Sequence, residues 1–133
     1  MTTNFDTTAI ETSLRDAVKA LNVSKSVFFN RPRSLEKSLE DFVVVRVSGG
    51  GVINLSATGR CSLSVCLFAK DLANQKNSKK LSVMEKKVLA DFPTEIGDLL
   101  IDPDEVSVLG DTPDNAGYHA RIIQIRNVII KTA

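Results

Sequence analysis

Between Arg60 and Asp71 the apolar residues fall on every second position. Cys61, Leu63, Val65, Leu67 and Ala69 alternate with Arg60, Ser62, Ser64, Cys66 and Phe68, giving a pleated strand one wholly apolar face and one mixed face. This run predicts the central strand of a sheet. Upstream, Phe42-Val-Val-Val-Arg-Val47 supplies an antiparallel partner, joined to it by a hairpin whose long tip holds Gly49-Gly50-Gly51. Tyr118 to Lys131 forms a third long strand, bulged around Arg126-Asn127 because its apolar phase slips there. Val27-Phe28-Phe29, before the turn signal Asn30-Arg31-Pro32, predicts a short edge strand or tether, and Val106 to Gly110 another short strand.

Two stretches carry the longer helical period instead. Ile10, Leu14, Val18 and Leu21 share one face of a helix starting near Thr8, where Thr8-x-x-Glu11 has capping-box form, and ending at Asn22 or the next residue. Leu81, Met84, Val88 and Phe92 line a second helix from Ser78 to Asp91, stopped by Pro93. Between the elements, residues 1–7 are polar and loose, and Ser34 to Asp41 makes one surface helical turn. Leu72 to Lys80 is a solvated loop, Thr94 to Glu105 an acidic connector around Leu99-Leu100-Ile101, and Thr112 to Gly117 a turn. The expected fold is α+β: one domain over 1–133, a single antiparallel or mixed sheet, two helices packed on one face, and a long β-hairpin.

Length and composition narrow the class. A chain of 133 residues buries about two-thirds of its unfolded surface in a single core. With no Trp and 5% aromatic residues, that core is expected to be aliphatic. The net charge of +1 lacks the basic excess that nucleic acid or an anionic membrane usually demands. The opening Met-Thr-Thr-Asn-Phe-Asp has neither a basic nor an apolar signal region, which predicts a cytosol-like compartment. No apolar run approaches the roughly 20 residues of a membrane helix. Cys61 and Cys66, about 16 Å apart along one strand, lie beyond the disulfide reach of about 7 Å between Cα atoms. Cys61 is expected as a small buried hydrophobe, and Cys66 on the second face.

Candidate chemistry is sparse. His119 is the single histidine, and no Gly-x-Ser-x-Gly nucleophile elbow accompanies it. The triple glycine has no Gly-Lys-Ser/Thr ending and no following helix, so it reads as a hairpin tip rather than a phosphate loop. Asp102-Pro-Asp104-Glu105, with Asp111 and Asp114, offers oxygens without EF-hand spacing. Arg31 and Arg33 lack the interleaved aromatics of a nucleic-acid site and read as solvated turn residues. No catalytic group, cofactor or metal is assigned.

Two patterns remain. Residues 70–87 hold Lys70, Lys76, Lys79, Lys80, Lys86 and Lys87 against Asp71 and Glu85, while residues 91–114 hold eight acids and no base. If these surfaces point apart, head-to-tail contact between copies pairs unlike charges and can close a ring; otherwise they neutralise one another within one molecule. Beside the glycines, Val52-Ile53-Asn54-Leu55 is an apolar cluster that either extends a strand or meets a neighbour.

The order of these patches resembles the tail-terminator, or tail-completion, proteins of long-tailed bacteriophages. It comprises an amphipathic helix, Phe28-Phe29-Asn30-Arg31-Pro32, a charged spacer, Asp41 to Val47, the alternating strand, a helix, and a long strand after Gly117-Tyr118. The resemblance implies a mixed α/β subunit forming a hexameric ring that caps the tail tube, stops its polymerisation and joins the head. By that resemblance its partners are further copies, the tail tube protein and the head-tail connector, and its places are the host cytoplasm and the virion. Lys76, Lys79, Lys80, Lys86 and Lys87 would then oppose Asp98, Asp102, Asp104 and Glu105 at subunit edges, with Val52, Ile53 and Leu55 on the tube or a neighbour. A head-tail connector or neck subunit shares these features. A small hydrolase or ligand-binding domain using His119 is the alternative from another class.

Overall fold

The computed structural model describes residues 7–32, 39–55, 58–114 and 117–131. Helix α1 (Thr7–Ala20) buries Ile10, Leu14 and Val18, the expected stripe. It ends in Leu21 and Asn22, where Asn22 takes the left-handed conformation that asparagine tolerates (φ 56°). The capping box does not form. Thr8 lies inside the helix, and the Glu11 carboxylate reaches sideways to accept from the Val47 N–H at 3.0 Å.

Strand β1 (Val27–Phe28) pairs in parallel with β2 (Asp41–Leu55), which runs antiparallel to β3 (Thr58–Lys70). Helix α2 (Ser78–Asp91) follows, capped by Asn77, whose Oδ1 accepts from the Lys80 N–H at 3.1 Å. Phe92 is extended ahead of Pro93. Then come β4 (Glu95–Ile96), β5 (Leu99–Leu100), a 3-10 turn (Pro103–Glu105), β6 (Val106–Asp114) and β7 (Tyr118–Lys131). The strand order is β1-β2-β3-β7-β5-β4, and β6 also lies against β7. The α+β class with a single mixed sheet is therefore borne out, and β3 is central as its alternation requires.

Three boundaries differ from expectation. The triple glycine is not the hairpin tip: pairing resumes beyond it at Ile53 with Arg60, and the tip falls after Leu55. From Ser48 to Ile53 strand β2 takes five steps while β3 takes two, so three surplus residues are absorbed in a wide irregularity. Glycine, free of a Cβ, is suited to such a bulge. The acidic connector is not structureless, because its Leu99-Leu100-Ile101 centre supplies β5 and buries Leu99 and Ile101. Strand β6 runs on to Asp114 through the segment expected as a turn, since Thr112 and Asp114 pair with Ala120 and Tyr118. The bulge in β7 is as predicted: two steps along β3, from Cys61 to Leu63, match three steps along β7, and Asn127 there has φ 53°. The expected loose start and most of the surface turn at Ser34 to Asp41 lie outside the described residues.

Both helices pack on one face. Ile10, Leu14, Val18, Leu81, Met84 and Val88 join Val43, Val45, Leu63, Val65, Leu67, Ile123 and Ile125 in one aliphatic cluster. The aromatics gather on the other face of the sheet. Phe42 stacks on Phe68 with centroids 4.4 Å apart and meets the Tyr118 ring edge at 5.3 Å, with Phe28 and Leu39 packed around them. Cys61 lies in the aliphatic cluster and Cys66 in the aromatic one, both as free thiols. The mixed face of β3 is thus half covered, so Ser64, Cys66 and Phe68 are buried too.

Candidate functional site

Arg121 occupies a core-facing position of β7, opposite Leu67, where a bare charge would be costly. Its guanidinium is answered on three sides. Nε and Nη2 donate to Asp111 at 2.6 and 2.9 Å, and Nη1 donates to Ser82 and Glu85 of α2 at 3.2 and 3.0 Å. Lys76 adds a further bridge to Asp111 at 3.2 Å. This corner binds α2 to β7 and to the irregular part of β6. The Arg121 hydrogen bonds, with help from Lys76, hold the Asp111 carboxyl down at about 2.

The other charged candidates are distributed around the sheet. Lys80 reaches Asp41 at 3.0 Å, and Asp41 pairs in register with Ala69, which pairs with His119. Lys76 and Lys80 therefore belong to the end of the sheet where β7 begins. Lys79 and Lys86 lie exposed on α2, and Lys87 donates to the Asn22 carbonyl at 3.3 Å. Asp98 lies between β4 and β5, and β5 pairs with the far end of β7 at Ile129 and Ile130. Asp102 and Glu105 line a cleft there with Arg60, Asn127 and Ile129, and Asp102 Oδ1 accepts from the Asp104 N–H at 2.9 Å. The lysine-bearing corner and this acidic rim are thus at opposite ends of β7. The separation is incomplete, since Asp111 and Asp114 of the acidic stretch stand at the lysine end. Asp114 pairs bidentately with Arg31 at 2.6 and 2.8 Å, so Arg31 is an ion-pair partner rather than a solvated turn residue. Arg33 lies outside the described residues.

His119 Nδ1 lies 2.6 Å from Asp71 Oδ1, a contact that fixes the ring. Among the described residues no group of three or more His, Cys, Asp or Glu gathers to hold a metal ion. No described helix is long and apolar enough to cross a membrane. On the aromatic side, a cavity of about 230 Å³ is floored by Val44, Cys66, Phe68, Ala120 and Ile122, with Arg31 and Arg46 among its lining residues. Burial pushes both thiols up, Cys61 to about 11, with Arg46 partly offsetting this at Cys66.

The two margins of the sheet are finished differently. Along β2, β1 covers Val43 and Val44, and the Glu11 carboxylate takes the Val47 N–H. Along β6, Val108 and Leu109 stand 39% and 44% exposed on opposite faces of the strand, and among the described residues no strand pairs with its outer side. Val52, Ile53 and Leu55 lie in the outer arm of β2 as a strand extension; their side chains are outside the described set. Sequence reading passed over Arg121, although a signal existed: it shares strand parity with Ile123 and Ile125, so a charge at that phase calls for a buried partner.

A scan against protein-family models finds no match for this chain, and a search of curated proteins finds none.

Proposed function

We propose that this chain is a structural subunit of a long-tailed phage virion, a tail terminator that assembles into a ring, caps the tail tube and joins it to the head. The observation that carries this reading is the placement of Lys76 and Lys80 at one end of the sheet and Asp98, Asp102 and Glu105 at the other. Copies related head to tail would set unlike charges against each other, the arrangement from which closed rings are built. Further support comes from the element order, which matches the one that suggested the family: amphipathic helix, short strand, long hairpin, second helix and long final strand. In this reading the hairpin arm bearing Val52, Ile53 and Leu55 meets the tube or an adjacent subunit.

Light scattering on chromatographed protein at low and high salt, with and without tail tube protein, tests it. The expected result is a ring-sized species that weakens with salt and binds tube ends. A monomer at all concentrations that ignores tube protein overturns it. Co-assembly with the head connector but not the tube would instead favour a neck subunit.

The His119–Asp71 contact supports a second reading, a small hydrolase in which Asp71 orients the imidazole. His119→Ala separates the two. Unimpaired tail assembly with no hydrolytic activity to lose fits a structural ring, whereas loss of a hydrolytic activity that the wild type shows fits the enzyme.

A further inference from the structure

The face of the sheet turned away from both helices changes character from one row to the next. Val44, Cys66 and Ile122 lie side by side in register across β2, β3 and β7, and Phe68 pairs with Ala120 in the adjoining row. These side chains floor the cavity of about 230 Å³ on the aromatic side. The next row outward is polar, with Arg46, Ser64, Gln124 and Ser107 in register across four strands. An apolar hollow therefore adjoins a strip of hydrogen-bonding groups.

Two arginines border the hollow, and they differ in state. Arg31 is held bidentately by Asp114, so that pair presents no net charge to an occupant. The Arg46 guanidinium is exposed and makes no ion pair or hydrogen bond among the described residues. It is near enough to the floor for its charge to act on the Cys66 thiol. Ser64, in register with Arg46 and only 4% exposed, also lacks a side-chain hydrogen bond among the described residues. A nearly buried hydroxyl without a partner is a group that a ligand can satisfy.

We infer that this hollow binds a small organic acid, a carboxylate carried on one compact apolar group such as a phenyl ring or a branched chain. The apolar group rests on Val44, Cys66 and Ile122, and the carboxylate accepts from the Arg46 guanidinium and the Ser64 hydroxyl. Both donors can reach one carboxylate, because directly opposed residues of an antiparallel pair have Cβ atoms about 4.5–5.5 Å apart. A planar guanidinium also matches a carboxylate with two parallel hydrogen bonds. Volume sets the size: the hollow holds roughly seven or eight times the share of one water in the liquid, room for a single ring and too little for a nucleotide. A wholly apolar occupant would leave Arg46 and Ser64 unanswered, and a bare inorganic anion would leave the floor unfilled. The site shares no residue with the lysine corner or the acidic rim, so it does not depend on the proposed ring.

Calorimetric titration of the full chain with benzoate and with isovalerate tests the site. At least one of the two is expected to bind, one per chain, with a dissociation constant on the order of 0.1–1 mM. Acetate, which lacks the apolar group, and benzyl alcohol, which lacks the charge, are expected to bind at least about tenfold more weakly. Arg46→Gln should raise the constant for the bound acid about tenfold, and Arg46→Lys should raise it less. Position 46 is exposed, so both variants should fold, as circular dichroism checks. No saturable binding of either acid, equal binding of benzyl alcohol, or a folded Arg46→Gln with unchanged affinity overturns the inference. Tighter binding of N-acetylvaline than of both acids also overturns it, in favour of a polypeptide terminus. A ring that forms while no acid binds removes only this site, and acid binding by a monomer that ignores tube protein removes only the proposed function.

Discussion

Arg121 and Asp111 face each other across the seam between β7 and β6, joined by two parallel hydrogen bonds of 2.6 and 2.9 Å, with the Asp111 side chain only 7% exposed. The pair fastens the edge strand at the point where its regular pairing breaks. Asp111→Asn keeps the shape and removes the charge, leaving Arg121 with Glu85 as its one carboxylate and Lys76 without its anionic partner. A loss of about 2–3 kcal/mol in urea unfolding at neutral pH is expected, the scale of hydrogen bonds made to a charged group.

The same carboxylate sets an acid limb. Its folded value of about 2 lies below its ordinary 3.8, so the stabilisation is complete above the ordinary value and disappears as pH falls through the folded one. The unfolded chain takes up the proton first, which is why stability declines in that window. About 2 kcal/mol of stability is expected to drain between roughly pH 4 and pH 2 in the wild type. Asp111→Asn should flatten that part of the profile, as read by denaturant midpoints across the pH series.

Asn127 holds a left-handed backbone inside a strand (φ 53°). Asn127→Gly is expected to be neutral within about 0.5 kcal/mol, whereas Asn127→Val should lose about 1–3 kcal/mol, because a β-branched residue resists that conformation. Thermal unfolding of the two variants checks the contrast.

The aromatic cluster is a second, smaller core. Phe42 is fully buried and stacked on Phe68, so Phe42→Ala should cost about 3–5 kcal/mol. Tyr118→Phe removes only the hydroxyl that donates to the Leu39 carbonyl at 2.5 Å. It should cost about 1 kcal/mol. Chemical denaturation of both variants separates packing from hydrogen bonding.

Cys61 and Cys66 sit on opposite faces of β3, buried and free. Burial raises both thiols, so little thiolate exists near neutral pH, and a disulfide reagent should label neither at an appreciable rate until the chain unfolds. Labelling rates with and without denaturant give the comparison.

Much of this architecture was legible because period and phase are local. The alternation from Cys61 to Ala69, the stripes of α1 and α2, and the phase slip at Asn127 all come from neighbouring residues. What was misread depended on distant partners. The triple glycine looked like a tip because nothing nearby shows that pairing resumes at Ile53. Glu11 looked like a cap for Thr8 because Val47, its actual donor, lies far along the chain. The mixed face of β3 gave no sign of its aromatic cover because Phe28, Leu39 and Tyr118 arrive from three separate segments. For the candidate surfaces, charge order along the chain located the lysine corner and the acidic rim. It could not show that Asp111 and Asp114 double back to neutral pairs with Arg121 and Arg31.

The Glu11 carboxylate on the Val47 amide has a bearing on how many molecules can gather through this sheet. An edge amide already taken by the molecule's own side chain offers no foothold there to a newcomer. Strand addition at Val47 is closed off from within the molecule, leaving aggregation through this sheet one fewer place to begin.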